Sequence, residues 1–94
     1  MSKMFKWGVN MYKNRAENGL NNICGKKIKE IRESLPETTS QKKLADMLQI
    51  EGLDLDKNAI QRIESGQRFV TDIELKGIAK VLKVEYKILL EDER

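Results

Sequence analysis

The sequence predicts an all-α protein in which five short helices follow a basic N-terminal arm. From residue 22 onward, apolar residues recur at the spacing of one helix face, about 100° per residue. Residues 1–20 show no such period, and no segment has the pattern of a strand. Ninety-four residues are enough for one small domain. We therefore divide the chain into an arm, residues 1–21, and a helical domain, residues 22–94.

The arm carries the excess of positive charge. Residues 1–27 hold six basic residues and one acidic residue, whereas the remainder of the chain is slightly acidic. A basic arm is typical of nucleic-acid binding. A solvated terminus, or an arm that packs Phe5 and Trp7 on the domain or on a partner, has the same composition. The basic side chains that could wrap a duplex are Lys3, Lys6, Lys13 and Arg15.

The composition argues against an enzyme and against a membrane protein. Histidine, the commonest general base and metal ligand, is absent. With no Gly-rich phosphate loop and no Cys/His cluster either, we expect no catalytic residues, metal or cofactor. No apolar run approaches the roughly 18 residues of a membrane span. The single cysteine, Cys24, favours a reducing, cytoplasmic location, and its place on an apolar stripe predicts a core residue.

The first two helices are predicted over residues 22–34 and 41–49. Asn21 or Asn22 can cap the first helix, and Ser40 is a good N-cap for the second. Pro36 follows the end of the first helix, where a proline is tolerated. The apolar faces comprise Cys24, Ile28, Ile31 and Leu35 in the first helix, and Leu44, Ala45, Met47 and Leu48 in the second.

The third helix, residues 57–65, has the pattern most suggestive of function. Asp56 is its expected N-cap and Gly66 its expected C′ residue. At about 100° per residue, the apolar side chains occupy one half of this helix and long hydrogen-bond donors the other. The apolar residues are Ala59, Ile60 and Ile63, and the donors are Lys57, Asn58, Gln61 and Arg62.

These donors suit the major groove of DNA. Lys or Arg can donate to O6 and N7 of guanine, and Asn or Gln can pair with N6 and N7 of adenine. An ordinary amphipathic helix with a solvated face has the same polarity. The pattern of this helix alone therefore leaves both interpretations open.

Two more helices are predicted after the third. The sequence from Thr71 to Glu74 matches a capping box and opens a fourth helix, whose apolar face is Leu75, Ile78, Ala79 and Leu82. A short fifth helix in residues 84–94 is expected to pack through Tyr86, Leu89 and Leu90.

Two charged residues lie near the apolar faces of their helices. Glu64 falls on the flank of the buried face of the third helix, and Arg32 lies about 60° from the middle of the apolar stripe of the first. Both side chains can reach inward while their helices pack. We therefore predict a partly buried Arg32–Glu64 ion pair.

Four segments, taken in order, resemble the helix-turn-helix family of phage repressors and Cro proteins, also called XRE-type regulators. They are GKKIKEIRE, SQKKLADML, NAIQRIESGQR and TDIELKGIAKVLKVEYKILL. The resemblance covers about residues 22–91. It implies a five-helix, repressor-like helix-turn-helix domain that binds double-stranded DNA, often as a homodimer on paired half-sites.

The resemblance also implies roles for individual residues. Gln41 would bond a DNA phosphate, and Arg68 would meet the DNA backbone. Arg32 and Glu64 match the buried ion pair of the family. The residues that match base-contacting positions are Lys57, Asn58 and Arg62, with Gln61 as a weaker candidate. The basic stretch adds Lys26 and Lys27 as expected phosphate contacts.

The sequence departs from the family pattern in two loops. The loop SLPETTS is about two residues longer than is usual for the family. The tight turn between the second and third helices is replaced by QIEGLDL, residues 49–55, which is about five residues longer. We expect Ile50, Leu53 and Leu55 to fold this insert back onto the core.

The expected function is sequence-specific DNA binding by a transcriptional regulator, a repressor, that places residues 57–65 in the major groove. The alternative is a helical protein-interaction module, such as an antitoxin whose main partner is a protein. In that case the aromatic arm and the apolar insert would form the docking surface.

Overall fold

The computed structural model describes residues 19–91, which form five α-helices and no strand. In chain order these are α1 (Gly25–Ser34), α2 (Gln41–Ile50), α3 (Lys57–Glu64), α4 (Asp72–Leu82) and α5 (Tyr86–Leu89). The predicted all-α fold with five helices is confirmed. Residues 1–18, which include Phe5, Trp7 and the basic side chains of the arm, lie outside the described residues, as do residues 92–94.

The predicted N-caps form at α2, α3 and α4. Ser40 Oγ accepts a hydrogen bond from the Lys43 N–H at 3.0 Å, and Asp56 Oδ1 accepts one from the Ala59 N–H at 2.8 Å. Thr71 and Glu74 make both bonds of a capping box. These bonds satisfy N–H groups that have no partner inside the helix. Short-range sequence signals therefore determine where these three helices begin.

A single apolar core lies between the helices. α3 packs against α1 and α2, α4 packs against α2 and α5, and α5 closes against α1. The fully buried large side chains are Ile28, Leu44, Leu48, Leu55, Ile60, Ile63, Ile78 and Leu89. Since α3 is held by the core along one side, its opposite half faces solvent.

α1 begins three residues later than predicted, at Gly25. Cys24 occupies the N-cap position, and the side chain of Asn22 reaches forward so that its Oδ1 accepts from the Gly25 N–H at 2.8 Å. Cys24 is buried, as predicted, and desolvation raises the pKa of its thiol to about 11. A thiol with that pKa is protonated at neutral pH and is a poor nucleophile.

The insert between α2 and α3 is anchored to the core and to α4. Leu55 is buried, and Leu53 packs on the core with its Cδ1 against Gly77 of α4. The Leu53 N–H donates to the Leu48 carbonyl at 2.9 Å, and Glu51 pairs with Lys80 at 2.8 Å. The insert therefore approaches α3 along a fixed path.

Three apolar residues lie on the surface although the sequence pattern placed them inside. Ile50 is 84% exposed because it ends α2 about 200° around the helix from the buried Leu48. Tyr86 and Leu90 are 61% and 42% exposed. α5 has a single turn, so it buries Leu89 while Tyr86 and Leu90 point outward. The expectations for these three residues were wrong.

Gly25 marks the closest approach between α1 and α3. A Cβ atom at this position would overlap the backbone carbonyl oxygen of Ile63, which cannot move without shifting α3. We predict that Gly25→Ala lowers the free energy of unfolding by about 3 kcal/mol, the cost of severe overpacking. Urea unfolding of the purified variant measures this.

Gly52→Ala is the matched control. Gly52 has a φ of +88° and open space around its Cα. Its substitution should cost only the strain of a left-handed alanine, about 1 kcal/mol. Equal losses at the two glycines would contradict the proposed backbone contact.

Candidate nucleic-acid interface

α3 presents its four long donors together on the solvent side. Lys57, Asn58, Gln61 and Arg62 are all exposed. Within residues 19–91 none of their side chains makes a hydrogen bond or an ion pair. The opposite half of the helix, Ala59, Ile60 and Ile63, is buried. The helix therefore offers a row of unpaired donors on a fixed support.

Behind this surface, Arg32 and Glu64 form a two-bond ion pair that joins α1 to α3. Arg32 Nε lies 2.7 Å from Glu64 Oε2, and Nη2 lies 2.9 Å from Oε1. The two side chains are only 9% and 3% exposed. Arg32 Nη1 also donates to the Thr39 carbonyl at 2.8 Å. Hydrogen bonds to Glu64 raise the pKa of Arg32 above its usual value, so the guanidinium stays charged.

Gln41, the expected phosphate contact, is tied to the same carboxylate. Its Nε2 donates to Glu64 Oε1 at 2.9 Å from the first position of α2. Glu64 therefore links α1, α2 and α3 at one point. The second N–H of the Gln41 amide is not used by this bond. Its phosphate contact stays a prediction.

Arg68, the other expected contact with the DNA backbone, is half-buried and paired with Glu74 of α4. Its Nη1 and Nη2 lie 2.9 and 3.1 Å from the carboxylate of Glu74, and Nη1 also donates to the Phe69 carbonyl at 3.0 Å. The hydrogen bonds from Arg68 lower the pKa of Glu74. In this geometry Arg68 braces the loop after α3, and a phosphate contact from it stays a prediction.

Lys26 and Lys27 lie in the first turn of α1, close to the C-terminal end of α3. Lys26 is exposed and Lys27 is half-buried. The adjoining Gly25 contacts the Ile63 carbonyl. The two lysines thus lie near the C-terminal end of α3, and their phosphate contacts are predictions.

Asn21 and Asn22 bind the C-terminal end of α3, a role that sequence reasoning missed. Asn22 Nδ2 donates to the carbonyls of Ile63 and Arg68 at 3.1 and 2.7 Å. Asn21 donates its backbone N–H to Gly66 and its Nδ2 to Gln67, both at 2.8 Å. We call these two asparagines, with the carbonyls they bind, the asparagine clasp. Their position before a helix suggested only capping, because their partners lie more than forty residues away.

Comparison with known families identifies the chain. A family model described as Helix-turn-helix matches residues 28–89, from the middle of α1 to the end of α5. The chain belongs to the XRE/Cro-type helix-turn-helix family. No curated protein and no solved structure matches it.

Membership in the XRE/Cro-type family makes the chain a DNA-binding regulatory domain. The matched residues include α2 and α3, the two helices that resemble the helix-turn-helix pair of the family. The match begins after Asn21 and Asn22, so the two asparagines of the clasp lie outside the matched residues, whereas the carbonyls they bind lie within them. No helix among residues 19–91 is long and apolar enough to cross a membrane, and these residues contain no cluster of acidic and cysteine side chains arranged to hold a metal.

The Arg32–Glu64 pair can be tested by removing one partner. We predict that Glu64→Ala lowers the free energy of unfolding by about 3–5 kcal/mol, because it leaves a buried guanidinium without its counter-charge. Thermal and urea unfolding measure this loss.

Asp46→Ala provides the control, since it breaks an ion pair at 3.2 Å with Lys42 in which both side chains are exposed. That change should stay within about 0.5 kcal/mol of wild type. A Glu64→Ala unfolding curve that superimposes on that of Asp46→Ala would rule out a stabilising role for the buried pair.

Proposed function

We propose that this protein is a sequence-specific double-stranded DNA-binding repressor that places α3 in the major groove. One observation supports this above the others: four donors lie together on α3, exposed and unpaired among the described residues. Donors on an ordinary surface helix commonly pair with neighbouring carboxylates, as Lys42 does with Asp46 on α2. Among residues 19–91, no carboxylate forms an ion pair or a hydrogen bond with the four donors of α3.

The donor types match the chemistry of base edges. Lys57 and Arg62 would donate to O6 and N7 of guanine, and Asn58 and Gln61 would pair with N6 and N7 of adenine. A good two-bond contact discriminates against the wrong base by about 1–3 kcal/mol. Two or three such contacts from one rigid helix are enough for a specific half-site.

Phosphate contacts would set the register of α3 on the duplex. Gln41 would use its second amide N–H, while Glu64 holds the first at 2.9 Å. Lys26 and Lys27 would neutralise phosphates near the end of α3, and the basic side chains of residues 1–18 would add further phosphate contacts. Such contacts make affinity fall steeply with salt concentration.

The protein would repress transcription by occupying its operator. A domain that covers its operator excludes other proteins from the same stretch of DNA, and it needs no further activity to do so. Symmetric half-sites spaced by one helical turn, about 34–36 Å, would indicate that two copies bind together.

Selection from a randomised duplex library at about 150 mM salt tests the proposal. We predict that the wild type enriches one motif and that the Asn58→Ala, Arg62→Ala double variant does not, because two base-edge contacts are lost. Sequencing of the bound pool measures the enrichment.

Lys87→Ala is the charge-matched control. It also removes one positive charge, but from the exposed surface of α5, and it should keep the motif. A wild type that enriches no motif would contradict DNA reading by α3. The donor surface would then be a candidate protein-docking face, and capture of one stoichiometric protein partner would favour the antitoxin-like alternative.

A further inference from the structure

We propose that the asparagine clasp is a positioning element for base discrimination. It fixes the last turn of α3, which carries Gln61 and Arg62, without itself touching DNA. This inference rests on the proposed function of α3 and adds to it residues outside the matched helix-turn-helix region.

Asn22 closes the loop that follows α3. Its Nδ2 donates hydrogen bonds to two carbonyls, those of Ile63 at 3.1 Å and Arg68 at 2.7 Å. The first carbonyl belongs to the last turn of α3, and the second lies at the far end of the loop. The carbonyl of Arg62 meanwhile accepts from the N–H groups of Gln67 and Arg68 at 2.8 and 3.2 Å. The backbone of Arg62 is thus bonded to a loop that Asn22 holds shut.

Asn21 donates two hydrogen bonds to the loop after α3, but its side-chain oxygen is buried without a hydrogen-bond partner among residues 19–91. Its backbone N–H binds the Gly66 carbonyl and its Nδ2 binds the Gln67 carbonyl, both at 2.8 Å. Its Oδ1 is buried without a hydrogen-bond partner among residues 19–91. An unpaired buried acceptor disfavours the folded state. The contribution of Asn21 therefore lies in the donors that hold the loop.

Close packing prevents α3 from tilting around these bonds. The Gly25 backbone contacts the Ile63 carbonyl, and the side chain of Leu20 covers Gly66. Residues 20 and 25, which precede α3 in the chain, are thus in contact with its C-terminal end and the loop after it. Arg32 and Glu64 hold the buried face of the same turn. The backbone that carries the donors of this turn is therefore held to the rest of the domain.

Recognition of base edges depends on the exact position of the last turn of α3, whereas binding to phosphates depends on it much less. A hydrogen bond to a base edge needs donor and acceptor within about 2.7–3.2 Å of each other, and a functional constellation tolerates displacements of only about 0.5 Å. Attraction to phosphates is a sum of charges that changes little over such displacements. Loosening the last turn of α3 should therefore weaken specific binding and leave non-specific binding unchanged.

The test compares two duplexes of equal length, one carrying the motif selected by the wild type and one with that motif scrambled. Dissociation constants are measured for wild type, Asn22→Ala and Asn21→Ala at a temperature where thermal unfolding curves show each to be folded. We expect each clasp variant to lose affinity for the selected duplex, about tenfold for Asn22→Ala, the equivalent of roughly one base contact. Affinity for the scrambled duplex should not change.

Val84→Ala is the control that separates an effect on the position of α3 from a general loss of stability. Val84 packs on the core from the turn between α4 and α5. Its truncation should lower stability without removing any hydrogen bond of the clasp. The ratio of the two dissociation constants should remain that of the wild type.

Two outcomes would overturn the inference. One is an unchanged ratio of the two dissociation constants in the clasp variants, whether or not both affinities fall, and the other is an equal fall in that ratio for Val84→Ala. If Asn22→Ala does not fold, the dissociation constants of Asn21→Ala are compared with those of the wild type, since this substitution removes only one side-chain hydrogen bond. A wild type that does not distinguish the duplexes would overturn the proposed function itself.

Discussion

The buried ion pair between Arg32 and Glu64 is the contact on which the rest of the structure depends. Glu64 belongs to the last turn of α3, Arg32 belongs to α1, and Gln41 brings α2 to the same carboxylate at 2.9 Å. Arg32 also binds the Thr39 carbonyl, so the loop before α2 is included. A charge pair that is this well buried is costly to leave incomplete. Each of the three helices must therefore keep its place for the others to be satisfied.

The two ends of α3 are secured by different means. At its N-terminal end, the long insert runs over the core through Leu53 and Leu55 and delivers Asp56 as the cap. At its C-terminal end, the asparagine clasp binds the Ile63 carbonyl of α3 and carbonyls of the following loop. An eight-residue helix has few contacts of its own. External supports at both ends compensate for this shortness and leave the outer half of α3 exposed to solvent.

Much of this arrangement could be predicted from the sequence, because it follows from short-range patterns. Helix periodicity separated the donors of α3 from Ile60 and Ile63, and capping rules located Ser40, Asp56 and Thr71. The angular position of Arg32 and Glu64 on their helices was sufficient to pair them.

What could not be predicted depends on long-range geometry. Asn21 and Asn22 find their partners only after folding, and Arg68 meets Glu74 only once the loop after α3 has closed. The prediction that Ile50 packs on the core was wrong because α2 extends by one residue to include Ile50, and at that position its side chain faces the solvent.

The central claim is that α3 reads base edges from a position fixed by the rest of the domain. The most direct measurement is NMR of the labelled protein bound to its selected duplex, recording intermolecular NOEs to base protons of the major groove. We predict NOEs from the side chains of Asn58, Gln61 and Arg62 to cytosine H5 or thymine methyl protons. NOEs confined to sugar protons, or arising from a surface other than α3, would contradict the account.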